Sequence, residues 1–174
     1  MVLRFKNLPG GKDMPDKLNI RYASPADYGE IINIFESLGF DHWDTDYAAK
    51  YYRAFFNNCC QGDEVFVLKI SGKIVGVTGY CPDPEESDGI YWLNWFYVHK
   101  DYKYHGYGRK LLDYVINKLK NKDARKLFVN TTSYRFYKPA RDLYKDKGFK
   151  EEGILKDFYG KGEHQVIFGL VLKN

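Results

Sequence analysis

The stretch that most limits what this chain can fold into runs from Ile90 to Leu119, IYWLNWFYVHKDYKYHGYGRKLLDYVINKL. Its first nine residues, Ile90 to Val98, are apolar or aromatic except Asn94. That is the pattern of a central strand covered on both faces. A polar turn follows and ends in Gly106-Tyr107-Gly108. Leu111, Leu112, Val115, Ile116 and Leu119 then recur at helical spacing and make one apolar stripe. The order strand, glycine turn, helix gathers backbone N–H groups at a helix N-terminus, where they lack intrahelical partners and the macrodipole adds positive potential. An anion, above all a phosphate, suits such a turn. The plainer alternative is a structural turn, because glycines also serve turns with no ligand. The dinucleotide fingerprint is absent: position 109 is Arg and position 111 is Leu where a third glycine is required. The phosphate-loop motif of nucleotide hydrolases is absent too.

The rest of the chain alternates strands and helices around this stretch. Of 174 residues 44% are apolar and 18% aromatic, enough to build a folded core. The net charge of +4 fits a phosphate-bearing ligand without demanding nucleic acid. No apolar run approaches the roughly 18 residues of a membrane span, and the first residues lack a secretory pattern. Cys59, Cys60 and Cys81 are odd in number, two of them adjacent, which argues against a disulfide framework, a zinc site or a covalent cysteine intermediate. A cytoplasmic location without metal is the expectation, with no nucleic acid and no membrane as partner, and a homodimer is compatible with it.

Residues 1–16 read as an irregular arm. Leu18–Tyr22 alternates as a strand, and Ser24-Pro25 starts a helix carrying Ile31, Ile34, Phe35 and Leu38 until Gly39. Asp44 or Thr45 is placed to cap a second helix reaching about Asn58, with Tyr47, Tyr51, Tyr52, Phe55 and Phe56 as its aromatic face. That face is either core or the wall of a substrate cleft. A hairpin of Glu64–Ile70 and Ile74–Cys81 leads to the acidic loop Asp83, Glu85, Glu86 and Asp88. A short strand at Lys126–Asn130, a helix over Tyr137–Lys147 and two strands near Phe149–Phe158 and Gln165–Leu172 complete one α/β domain over residues 1–174. The basic cluster Lys118, Lys120, Lys122, Arg125 and Lys126 reads as a solvated helix end.

The spacing of Val98, Lys103, Gly106, Gly108, Arg109, Leu111 and Leu112 resembles the acetyl-coenzyme A motif of the GCN5-related N-acetyltransferases, the GNAT superfamily. The run Ala140-Arg141-Asp142-Leu143-Tyr144, followed by Gly148-Phe149, resembles the second signature of that superfamily. The order of elements over residues 18–172 agrees. The resemblance implies an α/β (α+β) fold: a central, mostly antiparallel sheet of about six or seven strands with one splayed parallel pair, flanked by about four helices. It implies acetyl-CoA as co-substrate and an amine acceptor. In the superfamily the pantetheine arm enters the splayed gap, here between Ile90–Val98 and Lys126–Asn130. The implied cofactor contacts are Phe96, Tyr97 and Val98 for the thioester arm, and Lys103, Tyr104, His105, Gly106, Tyr107, Gly108 and Arg109 for the pyrophosphate. Thr132 or Ser133 stands in for an asparagine that is Tyr137 here. Tyr144 matches the tyrosine that protonates the departing thiolate; a phenol, with a free pKa of about 10, carries that proton at neutral pH.

One departure bears on mechanism. Histone-type relatives carry a glutamate base where this chain has Trp92, so the base must be sought elsewhere. Asn94 and Trp92 on the strand, Glu85 in the acidic loop and Asp157 near the last hairpin are the candidate acceptor-side residues. Glu86, Asp88, Glu163, His42, His99 and His105 are further candidates for the base. The expected activity is direct acetyl transfer to a primary amine of a small molecule. Acetylation of a protein N-terminus or lysine is the first alternative, and a non-catalytic acyl-CoA sensor the second.

Overall fold

The computed structural model describes residues 18–39, the backbone of 42–44 and residues 45–173. The arm expected over residues 1–16 and the side chain of His42 lie outside the described residues. Seven strands form one sheet: β1 (Asn19–Tyr22), β2 (Glu64–Ile70), β3 (Lys73–Pro82), β4 (Ile90–Val98), β5 (Lys126–Thr132), β6 (Lys150–Gly160) and β7 (Glu163–Val171). Their spatial order is β1-β2-β3-β4-β5-β7-β6, and every neighbouring pair is antiparallel except β4 with β5. Among the described residues four helices flank it: α1 (Tyr28–Ser37), α2 (His42–Phe56), α3 (Tyr107–Asn121) and α4 (Lys138–Asp146).

Strand alternation divides the core in two. Val65 and Val67 of β2 meet Ile31, Ile34 and Phe35 of α1 and Ala48 and Tyr52 of α2 on one face. On the other face Phe66 of β2 joins a core that also holds Leu112, Val115, Ile116 and Leu119 of α3 and Tyr144 of α4. The apolar stripe that marked α3 is thus the side that seats on the sheet. The first helix begins as expected: Pro25–Asp27 forms a single 3₁₀ turn, and the Asp27 carboxylate accepts from the Ser24 N–H at 2.8 Å.

Two expectations shift. α2 starts at His42, so Asp44 and Thr45 lie inside its first turn rather than capping it. β4 takes the central place in the sheet, yet only Leu93 is fully buried; its other residues are half-buried. The cause is the divergence of β5. The β4–β5 ladder runs only from Ile90–Lys126 to Trp92–Phe128, and beyond it the strands part around open space.

Candidate active site

That space is a cleft of about 1340 Å³, bounded by β4, β5, the turn before α3, and α4. It exceeds the roughly 300–1,000 Å³ of ordinary small-molecule sites. A β-bulge shapes its floor. Gly76 pairs with Val98 and Val77 with Tyr97, but Gly79 pairs with Asn94, so β4 carries one extra residue between Asn94 and Tyr97. Trp95 absorbs it by adopting φ +51°. Asn94 and Trp95 consequently turn to the same face: Asn94 donates to the Tyr51 hydroxyl, and Trp95 packs among Phe35, Tyr47, Tyr51 and Tyr52. Phe96 and Val98 pack on the opposite face, toward α3. The His99 N–H bonds the Val75 carbonyl on the β3 side. Alternation therefore turns the Val98 N–H the other way, into the gap that β5 has left.

The cleft continues to the N-terminus of α3. Gly106 precedes the helix with φ +79°, a left-handed conformation that glycine adopts freely. The N–H groups of Tyr107, Gly108 and Arg109 open the helix without intrahelical acceptors, and no acidic residue occupies the first turn to compete with an anion. Gly108 brings this turn close to the bulge, since a Cβ there would lie 3.4 Å from the Phe96 ring. The ammonium of Lys103 lies 4.5 Å from the Phe136 ring centroid, and burial lowers its pKa. Lys103, Tyr104, Gly106, Tyr107, Gly108 and Arg109 all line the cleft; Arg109 also pairs with Asp146 at 3.0 Å. His105 does not line it. Its ring stacks on Tyr107 and its Nδ1 meets the Lys103 carbonyl at 2.7 Å.

Tyr144 enters from α4, only 4% exposed, among Phe96, Phe149 and Phe168. Burial, with a smaller effect from Tyr137, pushes its phenol well above the ordinary value, so it holds its proton. Arg141 of the same motif donates to the carbonyls of Thr132 and Tyr134, tying the end of β5 to the Arg135–Tyr137 turn. Thr132 lines the cleft. Ser133 does not: its hydroxyl accepts from the His164 N–H at 2.9 Å and its own N–H bonds the His164 carbonyl, so it joins β5 to β7.

At the far end the walls are aromatic: Phe35, Tyr47, Tyr51, Trp95 and Tyr97. The two readings of the α2 aromatics divide along the helix, with Tyr52 fully buried in the core while Tyr47 and Tyr51 face the cleft. The Tyr51 hydroxyl donates to Asp63 at 2.6 Å. Burial, then the hydrogen bond to Asp63, pushes the Tyr51 phenol far up. Spacing offered no sign of this pair, because Asp63 sits twelve residues on, across a loop.

The remaining acceptor-side candidates lie elsewhere. Trp92 precedes the bulge, stacks on Phe128 and donates from Nε1 to Asp83 at 2.8 Å, and that bond holds the Asp83 carboxyl low. Glu85 is exposed in the loop that enters β4 at Ile90, the opposite end of the strand from the bulge. Asp157 accepts from the Gly162 N–H and donates its own N–H to His164, closing the β6–β7 hairpin. His99 accepts from the Asp101 N–H in its own turn. Of the carboxylates weighed as bases from the sequence, Glu163 lines the cleft.

A model of the acetyltransferase (GNAT) family matches residues 29–149. Compared with curated proteins, the chain matches none. Among solved structures it is similar to a protein of Desulfovibrio desulfuricans described as a GNAT-family acetyltransferase, with TM-score 0.82 and 28% identity over 90% of this chain and 100% of that one. It is also similar to the ribosomal-protein-S18-alanine N-acetyltransferase of Escherichia coli (TM-score 0.73, 21% identity, 91% and 96% covered). A Salmonella typhimurium protein solved with its cofactor acetyl-CoA gives TM-score 0.70 and 22% identity over 91% and 95%. The family match spans the bulged strand, the glycine turn before α3 and the helix that carries Tyr144, and with it the chain is a member of the GNAT acetyltransferase family.

Proposed function

We infer that the protein transfers the acetyl group of acetyl-CoA directly to the primary amine of a small molecule, within a ternary complex. The observation that carries this is the continuity of one cleft from the α3 N-terminus, past the bulge at Trp95, to an aromatic-walled end. The α3 turn suits a pyrophosphate, because unpartnered N–H groups and the helix dipole both favour negative charge. The N–H groups of Phe96 and Val98, bordering the gap, suit the thioester carbonyl and the pantetheine arm. Donors fixed beforehand stabilise the oxyanion that develops as the amine attacks. Tyr144, protonated and facing the cleft, is the group suited to give a proton to the departing thiolate. The close aromatic walls of the acceptor end support a small amine rather than a folded protein surface. Free thiols at Cys59, Cys60 and Cys81 accord with a reducing, cytoplasmic setting.

Thiol release from acetyl-CoA, measured against a panel of small primary amines and an alanine-initiated peptide, tests the reading. The expected result is turnover with a small amine and a fall in kcat of about 10²-fold for Tyr144→Phe, with CoA affinity nearly unchanged. Preference for the peptide would transfer the activity to protein N-termini. Tight CoA binding without turnover would leave a sensor.

A further inference from the structure

Tyr51 of α2 and Asn94 of β4 line the acceptor end of the cleft, while Asp63, in the loop leading into β2, stands behind them. The Tyr51 hydroxyl donates to Asp63 Oδ2 at 2.6 Å and accepts from Asn94 Nδ2 at 3.3 Å. The two bonds orient it: its proton points to the carboxylate, and its oxygen meets the strand that carries the bulge. The Tyr51 ring packs against Trp95, the bulged residue, with 4.9 Å between centroids. Tyr51 and Asn94 therefore meet in the cleft wall next to the bulge, and the carboxylate partner, Asp63, does not line the cleft.

Asp63 is half-buried, and among the described residues no cation pairs with it. Burial pushes its carboxyl up, and the Tyr51 hydrogen bond opposes that. The other titratable groups that face it are Cys60 in the same loop and Cys81 on β3. Both thiols are pushed up, first by burial and then by the Asp63 charge, Cys81 to about 11, so both are neutral at pH 7. A carboxylate with no cation to satisfy it accepts a proton more readily than a salt-bridged one.

We propose that Tyr51 and Asp63 form a relay that takes the proton from the attacking amine, with Asn94 positioning the phenol. The relay rests on the acetyltransferase reading above. An alkylamine arrives as the ammonium, its pKa being about 10.4 for a lysine-like amine. Tyr51 Oη accepts a proton from the nitrogen as its own O–H proton passes to Asp63 Oδ2, so the phenol conducts the proton without becoming an ion. The freed lone pair forms the N–C bond to the acetyl carbonyl, the C–S bond breaks, and Tyr144 gives its proton to the thiolate. The nitrogen then sheds a second proton, which replaces the one Tyr144 gave. Asp63 returns its proton to solvent. Ammonium and thioester thus yield amide, thiol and one proton, with no change of oxidation state. The relay supplies a base in a chain that has Trp92 where relatives of the histone type carry glutamate.

Thiol release from acetyl-CoA is followed with two nucleophiles: 2-phenylethylamine, cationic at pH 7, and hydroxylamine, mostly neutral there and in no need of prior deprotonation. For Tyr51→Phe and Asp63→Asn, kcat with phenylethylamine at pH 7 falls at least about tenfold. The loss with hydroxylamine is several-fold smaller, and the phenylethylamine deficit closes as pH nears the pKa of the amine itself. Asp63→Glu, which keeps the carboxylate, recovers part of the rate. Tyr51→Phe retains the ring against Trp95 and keeps the test open where Asp63→Asn fails to fold; CoA calorimetry on each variant shows which have folded. Unchanged rates in both variants, or equal losses with both nucleophiles, overturn the relay and leave the acetyltransferase reading standing. A larger loss for Glu163→Gln assigns the proton to that carboxylate and overturns it as well. Wild-type protein that releases thiol with neither nucleophile, nor with any amine or the peptide of the panel above, refutes the acetyltransferase reading and the relay together.

Discussion

Trp95 shows how much one residue can decide. A bulky side chain at φ +51° costs roughly 1–2 kcal/mol of backbone strain, and four aromatic neighbours hold it there. The strain re-aims the backbone on either side of it, as bulges beside active sites commonly do. Asp27 is the converse, a residue that stabilises. Arg21 bonds its carboxylate at 2.6 and 2.8 Å, Ser24 adds a backbone N–H at 2.8 Å and a hydroxyl at 2.9 Å, and the side chain is buried. The Arg21 bonds hold its pKa down at about 2 against the opposing effect of burial. A depressed carboxylate contributes its stability above the unfolded value of about 3.9 and loses it as pH falls from about 4 toward 2. Asp27→Asn is therefore expected to cost about 2 kcal/mol at pH 7, and the gap to wild type should close near pH 2. Urea unfolding at stepped pH measures this; a gap independent of pH would assign the cost to packing instead. Ser24, Pro25 and Asp27 were legible as a helix start because capping is local chemistry. The partnership with Arg21 was not, since it spans from β1.

Among the elements, β4 and α3 were the most legible. The run Ile90–Val98 is the strand from end to end, and the i, i+3, i+4 stripe is the buried side of α3. Periodicity reports one face at a time, however, so it could not tell full burial from a strand whose second half borders a cleft. The turn between them yields a prediction. A Cβ on Gly106 would meet nothing within 4 Å, so the obstacle to substitution there is the φ of +79°, not space. Gly106→Val should force the turn to rearrange, at roughly 1–2 kcal/mol, and weaken CoA binding about tenfold. Gly106→Asn, which tolerates left-handed backbone, should lose much less. Calorimetry with CoA distinguishes them, and equal affinities would show that the turn does not hold the pyrophosphate.

For the molecule as a whole, the parted β4 and β5 are the consequential feature. Strands that pair only from Ile90 to Trp92 leave edges that a ligand can bridge. A ligand binding the native state alone stabilises by about 2.7 kcal/mol at a hundred times its Kd. For a chain of this size each kcal/mol raises Tm by about 2–4 °C. CoA at that excess should therefore raise Tm by about 5–10 °C in a thermal melt, and no shift would argue against a gap that takes CoA. The order of strands and helices, the glycine turn before α3 and the helix that carries Tyr144 were determined by the sequence itself, because periodicity, capping and glycine turns act over a few residues. Which strands part, where the extra residue of β4 falls, and that Tyr51 meets Asp63 were decided by tertiary structure alone. Each depends on groups brought together from separate elements, and no local spacing records that.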